Sequence, residues 1–239
     1  MHLFYSKLID GKLILLDEVE SKHCLKVMRL GINEIIHITD GAGSLYESRI
    51  IDTSSGKVSA EIVNITKPQA KKPYRLHIAI APTKNSERFE WFVEKAAEIG
   101  VDEITPLVCQ RSERTKINTE RLRKILISAV KQSLKTILPS LNEPVSFPEF
   151  IKKNVEGQRF IASCLHGDEK EIQSVYTKGS GVLVLIGPEG DFTAEEVSSA
   201  VKTGFYPVSL GKSRLRTETA GMYVSAVISI LNSDPETAK

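Results

Sequence analysis

One stretch, residues 183–221, constrains the fold more than any other part of the chain. It reads as a buried strand (Leu183, Val184, Leu185, Ile186), a glycine-punctuated loop (Gly187, Pro188, Glu189, Gly190) and a helix. A second strand at 207–210, a second loop at 211–216 and the start of a last helix follow. The two loops are expected to leave neighbouring parallel strands at the same end, and open α/β sheets bind ligands in the crevice at that end. The second loop combines bare backbone at Gly211, arginines at 214 and 216, and a polar helix start at Thr217, Glu218 and Thr219. Such a mixture suits an adenosine-like ligand beside a phosphate-bearing polymer.

The rest of the chain from residue 75 keeps the same alternation. A strand at 76–81 precedes a helix at about 87–99, which has Phe89, Phe92, Val93 and Ala96 on one face and closes at Gly100. A strand at 104–109 leads to a helix after Thr119 carrying Leu122, Ile125, Leu126, Ala129 and Val130 at helical spacing. Another strand is expected at 160–164, and the last helix is expected to bury Ala220, Tyr223, Val224, Val227, Ile228 and Leu231 along one side. Strand-helix alternation predicts a mostly parallel sheet with helices on its faces.

Residues 1–70 follow another rule. Short runs at 12–15, 34–39, 45–52 and 57–65 are broken by Asp10-Gly11, Asp40-Gly41 and Ser54-Ser55-Gly56, which is the turn chemistry of a small β domain. One helical segment at 21–28 carries Lys22, His23 and Lys26, followed by Arg29, so a basic face or an ordinary solvated one fits it equally. Residues 66–74 hold Lys67, Pro68, Lys71, Lys72 and Pro73 with little to bury, and the expected domains are therefore 1–70 and 71–239.

A formal charge of +2 does not announce nucleic acid by itself. Arg111, Arg114, Lys116, Arg121, Arg123 and Lys124 form the densest basic run, and because it follows a strand end it fits a polyanion groove as well as a solvated face. Cys24, Cys109 and Cys164 are far apart, and His23, His37 and His166 show no ligand spacing, so no metal site or disulfide framework is expected. No apolar run approaches the roughly 20 residues needed to span a bilayer, and no signal-like segment follows Met1, so a soluble cytoplasmic protein is expected.

The motifs exclude some chemistries. Gly211-Lys212-Ser213 would need a glycine five residues earlier to close a P-loop, and that position is Tyr206. The Gly187 loop lacks the GxGxxG spacing of dinucleotide sites, and a strand-to-helix turn needs glycine for steric reasons alone. Thr193 with Glu196 makes a capping box for the helix that follows.

"LVLIGPEGDFTAEEV" followed by "SLGKSRLRTETAG" resembles the C-terminal motifs of the ribosomal RNA small subunit methyltransferase E family, within the SPOUT superfamily. "HCLKVMRL" and "DGAGSLYESRI" are similar to that family's PUA-like barrel, "PTKNSERFEWFVEKAAEIGV" to its entry into the catalytic domain, and "KQSLKTILP" to its Gln-Ser helix end. The resemblance implies an α/β SPOUT domain with a trefoil knot behind a PUA-like β-barrel that binds RNA. It implies methylation of N3 of a uridine in the decoding region of 16S rRNA in the small ribosomal subunit, with S-adenosylmethionine as cofactor, by a homodimer without metal. Carried over, Ile186, Gly187, Glu189 and Gly190 form one wall of the cofactor pocket, and Leu210, Gly211, Leu215, Thr219 and Ala220 the other. Arg216 and Glu218 stand at the reacting face, with Glu218 orienting the arginine or accepting a proton, and water equally able to accept it. Lys26, Arg29, Arg111, Arg114 and Arg214 are the RNA-contacting candidates.

The chain departs from the family pattern in three places. Asp191 stands where a second glycine is common, Lys212-Ser213-Arg214-Leu215-Arg216 replaces the usual Pro-Arg-Ile-Leu-Arg, and Lys135 replaces an arginine. Other readings stay open on the residues themselves: a non-catalytic RNA-binding assembly factor, or a SPOUT methyltransferase acting on another RNA atom.

Overall fold

The computed structural model describes residues 2–66, 72–153, 156–163 and 169–233; Cys164 and His166 lie outside the described residues. The chain divides into two compact units, Met1–Lys71 with Ile127–Leu138, and Lys72–Leu126 with Pro139–Lys239.

In the first unit, β1 (Leu3–Tyr5), β2 (Leu8–Asp10), β3 (Leu13–Leu15), β4 (Ile35–Thr39), β5 (Leu45–Asp52) and β6 (Ser59–Thr66) form one sheet in the order β1-β4-β5-β6-β3-β2. Alternation along β4 and β5 turns Ile36, Ile38 and Ile50 inward onto Phe4, Ile14 and Cys24. The three-residue strands β1 and β2 are too short for a sequence pattern to announce. Helix α1 (Glu18–Lys22) starts earlier than the expected segment, because the Asp17 side chain caps it by accepting from Glu20 N–H at 2.8 Å, and it runs into a π turn at His23–Val27. Burial pushes the Cys24 thiol up to about 11, which fits an inert core thiol.

Residues 127–138 complete this unit. Leu138 N–H donates to Gly41 O at 2.8 Å, Gly43 N–H to Thr136 O at 2.9 Å, and Lys131 pairs with buried Glu20. Gly41 has φ +75° and a Cβ there would lie 2.9 Å from the Tyr5 ring, so the glycine serves a close approach as well as a turn.

The second unit contains β7 (Leu76–Ile80), α2 (Ser86–Ile99), β8 (Glu103–Val108), the first part of α3 (Thr119–Gln132), β9 (Ser140–Leu141), β10 (Val145–Ser146), α4 (Phe147–Phe150) and β11 (Gln158–Ala162). It continues with α5 (Ile172–Val175), β12 (Val182–Ile186), α6 (Ala194–Lys202), β13 (Tyr206–Val208) and α7 (Thr217–Leu231). All strand pairs are parallel, in the order β10-β8-β7-β12-β11-β13, with β9 also on β8. β12 is buried at every position, as a central strand covered on both faces must be.

Local rules fix the helices. The Asn85 side chain caps α2 by accepting from Glu87 N–H at 2.8 Å, and Gly100 ends the helix with φ 117°. Leu183, Leu185, Ala79 and Ile161 face Val197 and Ala200 of α6, while α2 and α7 cover the opposite face. Each fully buried Val, Leu or Ile among these contributes roughly 1.5–3 kcal/mol. α7 reaches its place only because residue 221 is glycine: a Cβ there would lie 2.4 Å from Phe92 on α2 and 3.0 Å from Ile80 on β7.

One expectation is corrected. β12 and β13 are not neighbours, because β11 lies between them and pairs with both. The connection through α6 carries the chain past β11, and no local pattern reveals which strand occupies a gap.

Candidate functional site

Register places Pro106, Ile80, Ile186, Ala162 and Val208 across from one another at the carboxyl ends of β8, β7, β12, β11 and β13. Just beyond that row lies a cleft of about 280 Å³. The loop after β12 forms one side, the loop between β13 and α7 the other, and the end of β11 the floor between them.

Most residues expected to bind cofactor meet here. Ile186, Gly187, Glu189, Leu210, Gly211, Leu215 and Ala220 line the cleft, with Arg214 and Arg216 at its rim. Gly190 and Thr219 do not line it. Gly190 lies under Arg111, and Thr219 points outward from α7. Glu218 does not line it either: its buried carboxylate lies 3.8 Å from Arg88 Nε on α2. Arg216 and Glu218 therefore face different surroundings although two positions apart.

Gly187 has a steric duty as well as a place on the wall. A Cβ there would meet Phe192 at 3.1 Å, and Phe192 is fully buried. Asp191 adopts φ 61°, a conformation that Asp tolerates better than most residues and glycine better still. Its N–H donates to Pro188 O at 2.9 Å and closes the turn. The capping box then forms as the spacing predicts: Thr193 N–H donates to Glu196 Oε2 at 2.9 Å, and Glu196 N–H to Thr193 Oγ1 at 3.2 Å.

The start of α7 breaks the usual preference. Arg216 occupies the N-cap position and supplies no side-chain cap. Ser, Thr, Asp or Asn would satisfy the first free N–H groups, whereas arginine leaves them to something else. Thr217, buried, turns its hydroxyl the other way and donates to Gly187 O at 3.1 Å. Apolar walls, uncapped helix N–H groups and an exposed guanidinium together form a site for a ligand with an apolar body and negative or developing negative charge.

Sequence reasoning missed Ala162 and Ser163 on the wall. Their only local signal is that they end a strand, and every strand of a parallel sheet ends at this edge.

The RNA-contacting candidates fall in three places, with Arg214 at the cleft rim. Lys26 and Arg29 are exposed on the π turn of the first unit and just after it, Arg29 with φ 56°. Arg111 donates to Gly190 O at 2.7 Å, and Arg114 donates to Lys116 O at 3.2 Å and Lys84 O at 3.3 Å. Arg121 pairs with Glu90 and Arg123 with Glu143. The basic run is thus partly engaged with the protein. Cys109 is buried, which raises its thiol pKa well above the usual range. Among the described residues no group of three metal-ligating side chains converges, and no helix is long and apolar enough to cross a membrane.

Comparison with known proteins agrees with this geometry. Residues 70–229 match the RNA methyltransferase domain family, and residues 16–63 the RNA methyltransferase PUA domain. The ribosomal RNA small subunit methyltransferase E of Aquifex aeolicus is 30% identical over 238 residues, covering 97% of this chain and 99% of that protein. The crystal structure of a probable rRNA-methyltransferase from Porphyromonas gingivalis superposes with a TM-score of 0.90 at 40% identity, covering 97% of this chain and 98% of that one. That of the Neisseria gonorrhoeae ribosomal RNA small subunit methyltransferase E bound to S-adenosyl methionine gives 0.85 at 26% identity, covering 97% and 98%. The first unit is a PUA-like curled β half-barrel and the second a SPOUT-like parallel α/β domain. With matches of this extent, the chain belongs to the ribosomal RNA small subunit methyltransferase E family.

Proposed function

We propose that this protein uses S-adenosylmethionine to methylate N3 of a uridine in the decoding region of 16S rRNA in the small ribosomal subunit. The observation that carries the reading is the cleft at the carboxyl ends of β12, β11 and β13, with Arg216 at the uncapped start of α7. Its apolar walls at Ile186, Leu210 and Leu215 suit an adenosine body, and a solved relative with the same fold is bound to S-adenosyl methionine.

When bound, S-adenosylmethionine supplies a sulfonium methyl group; N3 gives up its proton, the N3–CH3 bond forms, the S–CH3 bond breaks, and S-adenosylhomocysteine leaves. Arg216 acts at the uracil oxygens, where negative charge develops as N3 loses its proton. Glu218, paired with Arg88, holds the start of α7 in place, and the proton leaves to water at the open rim. The two loops align the reacting atoms, which supplies acceleration through orientation. A base in a paired or stacked region must first be exposed. Lys26, Arg29, Arg111, Arg114 and Arg214 are proposed to contact RNA phosphates, with residues 1–70 serving as the RNA-binding domain.

The proposal includes a homodimer, a trefoil-knotted chain around the cleft, and a cytoplasmic location. α7 is apolar on nearly every side, yet Ile230 is 69% exposed and Met222, Tyr223 and Val227 are half-buried, so its outer face fits cover by a second copy.

The test is methyl transfer from labelled S-adenosylmethionine to small subunits lacking the modification, with the modified nucleotide then mapped. Label on uracil N3 in the decoding region is expected. Tight subunit binding without transfer would favour an assembly factor, and label on another atom would keep the enzyme class and discard the substrate.

A further inference from the structure

The loop that walls the cleft is held from outside. Its carbonyls at Gly190 and Phe192 face Arg111, whose Nη1 donates to the first at 2.7 Å and reaches the second at 3.5 Å. The arginine stem lies along Gly190: a Cβ there would stand 3.3 Å from Arg111 Cδ, so any side chain at 190 would push the stem aside. The segment around Arg111 is itself anchored. Gln110 N–H donates to Glu196 Oε1 at 2.9 Å, the same carboxylate that closes the capping box of α6. Glu189, on the cleft wall, accepts from Lys84 N–H at 2.9 Å. Among these holders only Arg111 acts through an exposed, charged side chain, since Lys84 acts through its backbone N–H.

Its outer edge has capacity to spare. Among the described residues no protein acceptor engages Arg111 Nε or Nη2, so the guanidinium keeps donors for a second ligand. Arg114 and Lys84 stand nearby, although Lys84 is paired with Glu113 at 2.7 Å and Glu195 lies within electrostatic reach of Arg111. An exposed arginine loses side-chain freedom when it holds a carbonyl. A phosphate bound to its free donors would already have fixed the side chain, so the carbonyl bond would then form at lower entropic cost.

Resting on the cofactor and RNA reading above, we infer that Arg111 is a positioning residue coupling substrate to cofactor: an RNA phosphate on its outer edge steadies its grip on Gly190 and tightens the cofactor wall. By thermodynamic reciprocity, the cofactor strengthens RNA binding by the same factor. Arg111 touches no reacting atom and acts through the loop.

The test is the dissociation constant of S-adenosylmethionine, measured calorimetrically with and without a decoding-region RNA fragment, for wild type, Arg111→Ala and Arg111→Lys. Thermal melts establish that each variant is folded. RNA is expected to tighten cofactor binding to wild type about tenfold. Arg111→Ala is expected to bind cofactor about tenfold more weakly and to show no change on adding RNA. Arg111→Lys keeps a charge but not the fork, so it should recover part of the cofactor affinity while the RNA effect stays absent. If Arg111→Ala does not fold, the lysine variant decides. A wild-type affinity indifferent to RNA, or a variant retaining the full RNA effect, overturns the coupling while leaving the methyltransferase reading intact. A wild type that binds no cofactor at all overturns both.

Discussion

Thr217 donates its buried hydroxyl to Gly187 O at 3.1 Å, joining the first residue of α7 to the first residue after β12. This bond ties together the two loops between which the cleft lies. Thr217→Val keeps the shape, removes the donor and leaves a buried carbonyl unsatisfied, at a cost of about 1–3 kcal/mol. Denaturant unfolding should show that loss, calorimetry should show weaker S-adenosylmethionine binding, and Thr217→Ser should recover much of both. Unchanged stability and affinity in the valine variant would mean that the bond does not hold the cleft.

Arg216 is exposed at the cleft rim and its side chain meets no acceptor among the described residues, so its loss should leave the fold unaffected. Arg216→Gln is expected to lower kcat by about 10²–10³, the range for removing one stabilising donor from a transition state. The dissociation constant of S-adenosylmethionine should hardly move. Turnover at the wild-type rate would remove the arginine from the chemistry.

Gly221→Ala tests how α7 is seated. The new methyl would lie 2.4 Å from Phe92 Cε2, and nearby Ile80 at 3.0 Å leaves little room to shift. Overpacking of this kind costs about 1–3 kcal/mol, more than the gain in helix propensity. Urea titration is expected to show a lower midpoint, and Phe92→Leu in the same chain should restore part of it. A stabilised Gly221→Ala protein would show that α2 and α7 have slack between them.

His77, 6% exposed, shares a hydrogen bond between Nε2 and the hydroxyl of Thr105 at 2.8 Å, and Asn142 Nδ2 donates to the same hydroxyl oxygen at 2.7 Å. Burial pushes the His77 pKa down to about 4, against the opposing pull of Glu103. The unfolded chain, with an ordinary histidine near 6.5, therefore takes up its proton first as pH falls. The contribution of neutral His77 is complete above about pH 6.5 and is lost towards pH 4, amounting to roughly 2 kcal/mol between pH 7 and 5. Urea unfolding at these two pH values should show the loss in wild type and a smaller one in His77→Gln. Equal losses in the two proteins would assign the acid sensitivity to other groups.

Much of this protein was legible in residues close along the chain. The Thr193–Glu196 box, the Asn85 and Gly100 ends of α2, the inward alternation of Ile36 and Ile38, and the buried run of β12 all follow from bonds and periodicities spanning four residues or fewer. The coincidence of Gly211, Arg216 and Thr217 before the last helix, within seven consecutive residues, marked the cleft. Tertiary structure decided what stands beside what. It set β11 between β12 and β13, put Ala162 and Ser163 on the cleft wall, and turned Glu218 towards Arg88. It also engaged Arg111 with Gly190 and gathered residues 127–138 with the first unit. These pairings join residues 24 to 130 positions apart, and their order depends on which long-range packing leaves the fewest buried groups unpaired, a property of the whole chain that no local pattern contains.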